Sequence, residues 1–151
     1  MVMRGILIHL FGAALLGSAP LCMAQSGCLA ASEFQPALCP AKLPRISKIT
    51  IEENGAGTKQ ASGEMADCSR FKLSPAQARR YFARAYAVTD EADARAKLDW
   101  SPCSASGSVV FANGKTAHWQ IGQTQSGALI WDAGTTQTLF CPACRFKPFH
   151  W

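Results

Sequence analysis

The residues best placed for chemistry are Cys141 and Cys144, in the segment LFCPACRFKPFHW. Two cysteines around Pro-Ala can be a thiol redox centre, half of a zinc site, or the ends of disulfide cross-links. A redox pair works when a helix N-terminus stabilises the first thiolate. Here the first cysteine ends an apolar, strand-like run, no βαβ pattern precedes it, and Pro148 follows four residues beyond Cys144. Four-sulfur zinc sites commonly use two close pairs. This chain has one close pair, the isolated Cys68 and Cys103, and His118 and His150 as further donors.

Disulfides take up the cysteines most simply. The chain opens MVMRGILIHLFGAALLGSAPLCMAQ, with Arg4 as its only charge and an apolar run from Ile6 to about Gly17. That run is shorter than the roughly 20 residues of a membrane span. The small residues around Met23 predict a signal peptide over 1–24, cut before Gln25. A lipoprotein signal at Cys22 fits poorly with Pro20-Leu21 before it. Of seven cysteines, the leader removes Cys22, and Cys28, Cys39, Cys68, Cys103, Cys141 and Cys144 remain. An even count behind a leader predicts a disulfide framework in an oxidising compartment, periplasmic or secreted. It also predicts a protein that is not integral to the membrane once the signal is cleaved. Cys28 and Cys39 bracket Pro36 and should close a local loop. For the other four, two patterns are open: 141–144 with 68–103, or each member of the close pair bonded to Cys68 or Cys103. The second is expected, because a bridge over two residues is strained. Cys68 and Cys103, just before a helix and a strand, are also placed to tie the helical layer to the last strand.

The leader takes one of 15 Lys and Arg, leaving 14 against 10 Asp and Glu over 127 residues. So mild a charge, with no dense basic stripe interleaved with aromatics, argues against nucleic acid.

Elements must position these groups. Residues 25–46 read as irregular. Ile46 to Ile51 is β-prone, and Asn54 to Gly63 reads as a mobile loop or wide hairpin. Ser74-Pro75 opens a helix that should continue through PAQARRYFARAYAV. Its Ala78, Tyr81, Phe82 and Ala85 form one apolar stripe, and Gln77, Arg80 and Arg84 share another face. Thr89-Asp90 caps a second helix through Leu98. Strands follow at Gly107–Ala112, Lys115–Ile121, Ala128–Trp131 and Thr135–Cys141. Asn113-Gly114 suggests a two-residue turn that sets Val110 opposite Ala117 and Val109 opposite His118. Ala117, Trp119 and Ile121 should face the core. The fold class is therefore α+β, with one or two helices packed on a four- to five-stranded antiparallel sheet, disulfide-stapled. The organisation is a leader over 1–24, an irregular segment over 25–46 and one domain over 47–151.

Other catalytic patterns are thin. Ser101, Ser104 and Ser106 lack a nucleophile-elbow context. His118 reads as a sheet residue, the carboxylates form no marked pair, and Gly55-Ala56-Gly57 lacks the strand–turn–helix setting of a phosphate loop. No catalytic residue, metal or cofactor is expected. Arg80 and Arg84 on the helix, and Phe146, Phe149 and Trp151 in the tail, are the candidates for partner binding, since Arg and aromatics dominate interface hot spots. The tail either folds back over the core or anchors a protein with an acidic or aromatic-accepting surface.

The stretch from DCSRFKLSPAQARRYF to FCPAC, residues 67–144, is loosely similar to small secreted bacterial proteins, and no activity follows from that. The order of helices and sheet with disulfides resembles secreted enzyme inhibitors of the β-lactamase-inhibitor type at the level of architecture. The expected function is non-enzymatic protein binding, inhibitor- or immunity-type. The alternatives are a thiol redox or zinc-binding protein using Cys141 and Cys144, and a structural envelope protein that binds anionic surfaces.

Overall fold

The computed structural model describes residues 27–150. The expected leader, with Cys22, lies outside the described residues, as does Trp151. The elements run β1 (Leu38–Pro40), β2 (Ile46–Gly57), α1 (Pro75–Phe82), β3 (Tyr86–Val88), α2 (Glu91–Lys97), β4 (Cys103–Phe111), β5 (Thr116–Gly122), β6 (Ser126–Trp131) and β7 (Thr136–Phe140). All seven strands join one antiparallel sheet, in the order β1-β3-β7-β6-β5-β4-β2. The architecture is α+β as expected, but the sheet has seven strands rather than the expected four to five: β2 and β3 join the β4–β7 meander, and so does β1, from the segment read as irregular, because it pairs with β3. No helix among the described residues is long and apolar enough to cross a membrane.

The sheet cannot be flat. Its two edge strands, β1 and β2, are consecutive in the chain and joined by residues 41–45 alone. Six strand spacings in a flat sheet amount to about 29 Å, whereas so short a connection reaches about 20 Å at most. The sheet therefore curls, and register shifts along β2 at 46/48, 51/53 and 54/56 supply bulges that bend it. The concave side holds the core: Ile49, Val109, Phe111, Ala117, Trp119, Ile121, Leu129 and Leu139, with α1 laid over them.

Helix α1 starts as its residues dictate. The Ser74 hydroxyl accepts from the Gln77 amide at 3.2 Å, and Gln77 Oε1 accepts from the Ser74 amide at 2.8 Å, closing a capping box. The stripe Ala78, Tyr81, Phe82 and Ala85 is buried. The helix stops at Phe82, however, and the predicted continuation over Tyr86–Val88 is a strand. Tyr86 and Val88 favour a pleated, half-buried surface. This segment also fills the gap between β1 and β7 in the ladder, which outweighs the helix preference of the neighbouring alanines.

Three further expectations change. The Asn54–Gly63 loop is in part strand, since β2 runs on to Gly57 and pairs with β4 as far as Cys103. The Asn113-Gly114 hairpin has a three-residue loop: Phe111 donates to Lys115 O, Gly114 donates to Phe111 O, and only Gly114 has positive φ, at 82°. The register therefore moves by one, with Val109 opposite Ala117 and Val110 opposite Thr116. The same turn recurs at Asp132-Ala133-Gly134.

The disulfides are Cys28–Cys39, Cys68–Cys103 and Cys141–Cys144. The local loop at 28–39 is as expected, and the favoured pairing of the close pair with Cys68 and Cys103 is overturned. Cys103 opens β4 and Cys141 follows β7, at the same end of the sheet but with β5 and β6 between. Three strand spacings are about 14 Å, twice the roughly 7 Å that a disulfide can span between Cα atoms. The chain returning from β2 instead brings Cys68 within 5.3 Å of Cys103, Cα to Cα. Peptide mapping of the non-reduced protein should return these three links. Replacing Cys68 and Cys103 together by serine should lower the unfolding free energy by about 3–4 kcal/mol, because the bridge closes a long loop. Urea titration reads that loss directly.

Candidate functional site

The Cys141-Pro-Ala-Cys144 turn is built into a buried polar knot around Gln125. This residue sits in the β5–β6 turn with φ at 71°, a conformation that non-glycine residues seldom adopt. Its carbonyl accepts from the Tyr81 hydroxyl at 3.1 Å and from the Cys141 amide at 3.1 Å. Its side-chain amide donates to Cys144 O at 3.0 Å, and the Cys144 amide donates to Cys141 O. Both sulfurs are fully buried and bonded to each other, so this state presents no thiol to solvent. Among the described residues no group of three or more His, Cys, Asp or Glu side chains is gathered to hold a metal ion.

Burial pushes the Tyr81 hydroxyl far above the ordinary tyrosine range, so it stays a donor. Gly127 makes room for it: a Cβ there would come within 2.7 Å of the Tyr81 oxygen.

From this knot the tail runs back along α1. Phe149 is 3% exposed and stacks on Tyr81 at 5.8 Å between ring centroids, with Phe71 edge-on at 5.9 Å. It caps the core, and a partner could not reach it without unpacking the protein. Phe146 is half-buried, edge-on to Phe149. The Arg80 guanidinium lies over the Phe146 ring, 4.2 Å from its centroid, within cation–π range. Gln77 donates to Lys147 O at 2.8 Å. The polar face that Gln77 and Arg80 give α1 is thus the seat of the tail. Arg84, Arg145 and Lys147 are exposed. Among the described residues none of Arg80, Arg84, Arg145 and Lys147 is in an ion pair; the pair that does form is Lys97–Asp93. Arg79 has a different task, donating to Ile46 O and Ser47 O along edge strand β2.

A second feature went unread in the sequence. Trp100 is 71% exposed and stands beside a cleft of about 260 Å³ on the sheet face opposite α1, lined also by Ser104, Gln120, Gly122, Ser126 and Ala128. A single tryptophan between a helix and a strand carries no periodic signal, and the groups around it come from three different strands.

The remaining candidates do not converge. The Ser101 hydroxyl is held by the Cys103 backbone, and Ser104 accepts from Gln120 Nε2 at 3.2 Å. His118 is exposed opposite Ser108 and Ile130, and among the described residues no serine hydroxyl is hydrogen-bonded to it.

Gln125→Ala should lower stability by about 1–3 kcal/mol, because it strands the buried Cys144 carbonyl; thermal or urea unfolding reads the loss. Tyr81 sets an alkaline limit. The unfolded chain releases a tyrosine proton near pH 10, while the folded protein keeps it, so the folded state binds more protons there and stability falls as pH rises. Tyr81→Phe should cost about 1 kcal/mol at neutral pH through the lost hydrogen bond and should flatten that decline. Urea midpoints from neutral to about pH 11 test both effects. No protein-family model, curated protein or solved structure matches this chain, so what these sites can do follows from their residues alone.

Proposed function

We propose that this protein is a non-enzymatic, protein-binding domain of the inhibitor or immunity type, working in the periplasm or outside the cell. Three disulfides fit an oxidising compartment. The observation that carries the binding reading is the Arg80–Phe146 pair. It is an aromatic ring met edge-on by Phe149, with a guanidinium laid over it and the exposed Arg84 just beyond the helix's C-cap.

Such a pair suits recognition for two reasons. Arg and aromatic side chains contribute most per residue at protein interfaces. A guanidinium resting on a ring is also partly ordered before binding, so less side-chain entropy is lost when a carboxylate docks on it. With no carboxylate among the described residues paired to Arg80, Arg84, Arg145 or Lys147, the face complements an acidic partner, and rising salt should weaken the contact.

The test uses the intact protein as bait in extract from its own compartment, with bound proteins identified by mass spectrometry. Arg80→Glu with Arg84→Glu should weaken the recovered partner's affinity by roughly 30-fold, the effect of losing one hot-spot arginine, and should leave the unfolding midpoint nearly unchanged. Recovery of the same partner at undiminished affinity by the charge-reversed protein would refute the assignment to this face.

A further inference from the structure

The cleft beside Trp100 has the chemistry of a sugar subsite. The backbone on both sides of Trp100 is tied down although its ring is exposed. Thr124 Oγ1 donates to Asp99 O at 2.7 Å, the Thr58 amide donates to Pro102 O at 3.0 Å, and Cys103 is bonded to Cys68. The indole therefore stands in water on an anchored stretch of backbone, at a solvation cost that a core position would avoid. Beneath it the outer face of β4, β5 and β6 presents Ser104, Gln120 and Ser126, with Gly122 and Ala128 leaving the floor low.

None of the residues lining this cleft carries a charge. An anionic ligand such as a nucleic acid would find no cation there to pair with its phosphates. A purely apolar side chain would cover the hydroxyls and the amide without replacing their bonds to water. A neutral ring with one flat C–H face and hydroxyls around its rim satisfies both parts of the site. The electron-rich indole face attracts the polarised C–H bonds, and serine hydroxyls and a carboxamide each donate and accept. The volume of about 260 Å³, below the roughly 300–1,000 Å³ of a drug-sized pocket, suits one sugar ring.

We propose that Trp100, Ser104, Gln120 and Ser126 bind one ring of an uncharged, glucose-configured oligosaccharide, with the ring stacked on Trp100. Equatorial hydroxyls leave such a ring flat on the stacking side. The site lies on the sheet face opposite α1 and is independent of the Arg80–Phe146 contact.

The test is a titration of the isotope-labelled protein with cellohexaose and chitohexaose, followed by NMR at the Trp100 indole N–H and the Gln120 carboxamide. Saturable shifts at both groups are expected with at least one of these oligosaccharides. Trp100→Ala should weaken binding by roughly tenfold or more, the effect of deleting one stacking ring, while Trp100→Tyr should retain most of it. Unchanged Trp119 indole and methyl resonances will show that the variants are folded. A galactose-configured hexamer, with its axial hydroxyl, should bind more weakly. Four results overturn the proposal: no saturable shift with either neutral oligosaccharide, equal binding by Trp100→Ala, equal binding of the galactose-configured hexamer, or shifts with an anionic heparin fragment alone.

Discussion

The structure depends on the hydrogen bonds that converge on Gln125. One residue in a turn, held in a left-handed conformation, ties three separate parts of the chain: α1 through Tyr81, the end of β7 through the Cys141 amide, and the Cys-Pro-Ala-Cys turn through Cys144 O. All of this is buried, where an unpaired polar group is costly. No buried side-chain nitrogen or oxygen is left without a partner among the described residues. A fully satisfied polar knot favours one arrangement over its neighbours, and here it decides where the tail leaves the sheet. Phe149 then enters the core beside Tyr81, and Phe146 comes up under Arg80. The surface proposed to bind protein is thus a consequence of a buried turn.

The disulfides work at the margins of that core. Cys28–Cys39 closes the segment leading into edge strand β1, Cys68–Cys103 ties the return from β2 to the start of β4, and Cys141–Cys144 tightens the turn after β7. The most exposed large apolar side chains lie beside these bonds. Phe34 is within the 28–39 loop, Met65 is three residues before Cys68, and Trp100 is three residues before Cys103. A cross-linked backbone keeps such groups from collapsing inward, where a flexible loop would let them seek cover. This gives a physical reason to look for recognition at the stapled margins as well as at the tail.

The two faces of the sheet then differ in kind. The α1 side ends in cations that no carboxylate among the described residues pairs, with an aromatic support, suited to charge and shape. The opposite side has an uncharged cleft of hydroxyls and amide beside one indole, suited to a neutral polar ligand. A curled sheet can present both because its core is closed from within by α1 and Phe149.

Much of this was legible in local sequence. The Ser74 cap with Pro75 behind it, the stripe Ala78-Tyr81-Phe82-Ala85, the alternation Ala117-Trp119-Ile121 and the even cysteine count each depend on neighbours a few residues away or on composition. Local periodicity states which side of an element is apolar, and that statement survives folding. Pairings across the chain were not legible. Tyr86–Val88 became a strand because β1 and β7 lay on either side of it. Cys68 found Cys103 because β2 and β4 run together, while Cys141 was three strands away. The hairpin register shifted by one because Gly114 alone took the left-handed position. Trp100 became a site only when β4, β5 and β6 brought Ser104, Gln120 and Ser126 beside it. Sequence by itself determined the amphipathic faces, the caps and the oxidised state. Tertiary structure decided the partners, because a hydrogen bond or a disulfide acts over a few ångströms of space, whatever the separation along the chain.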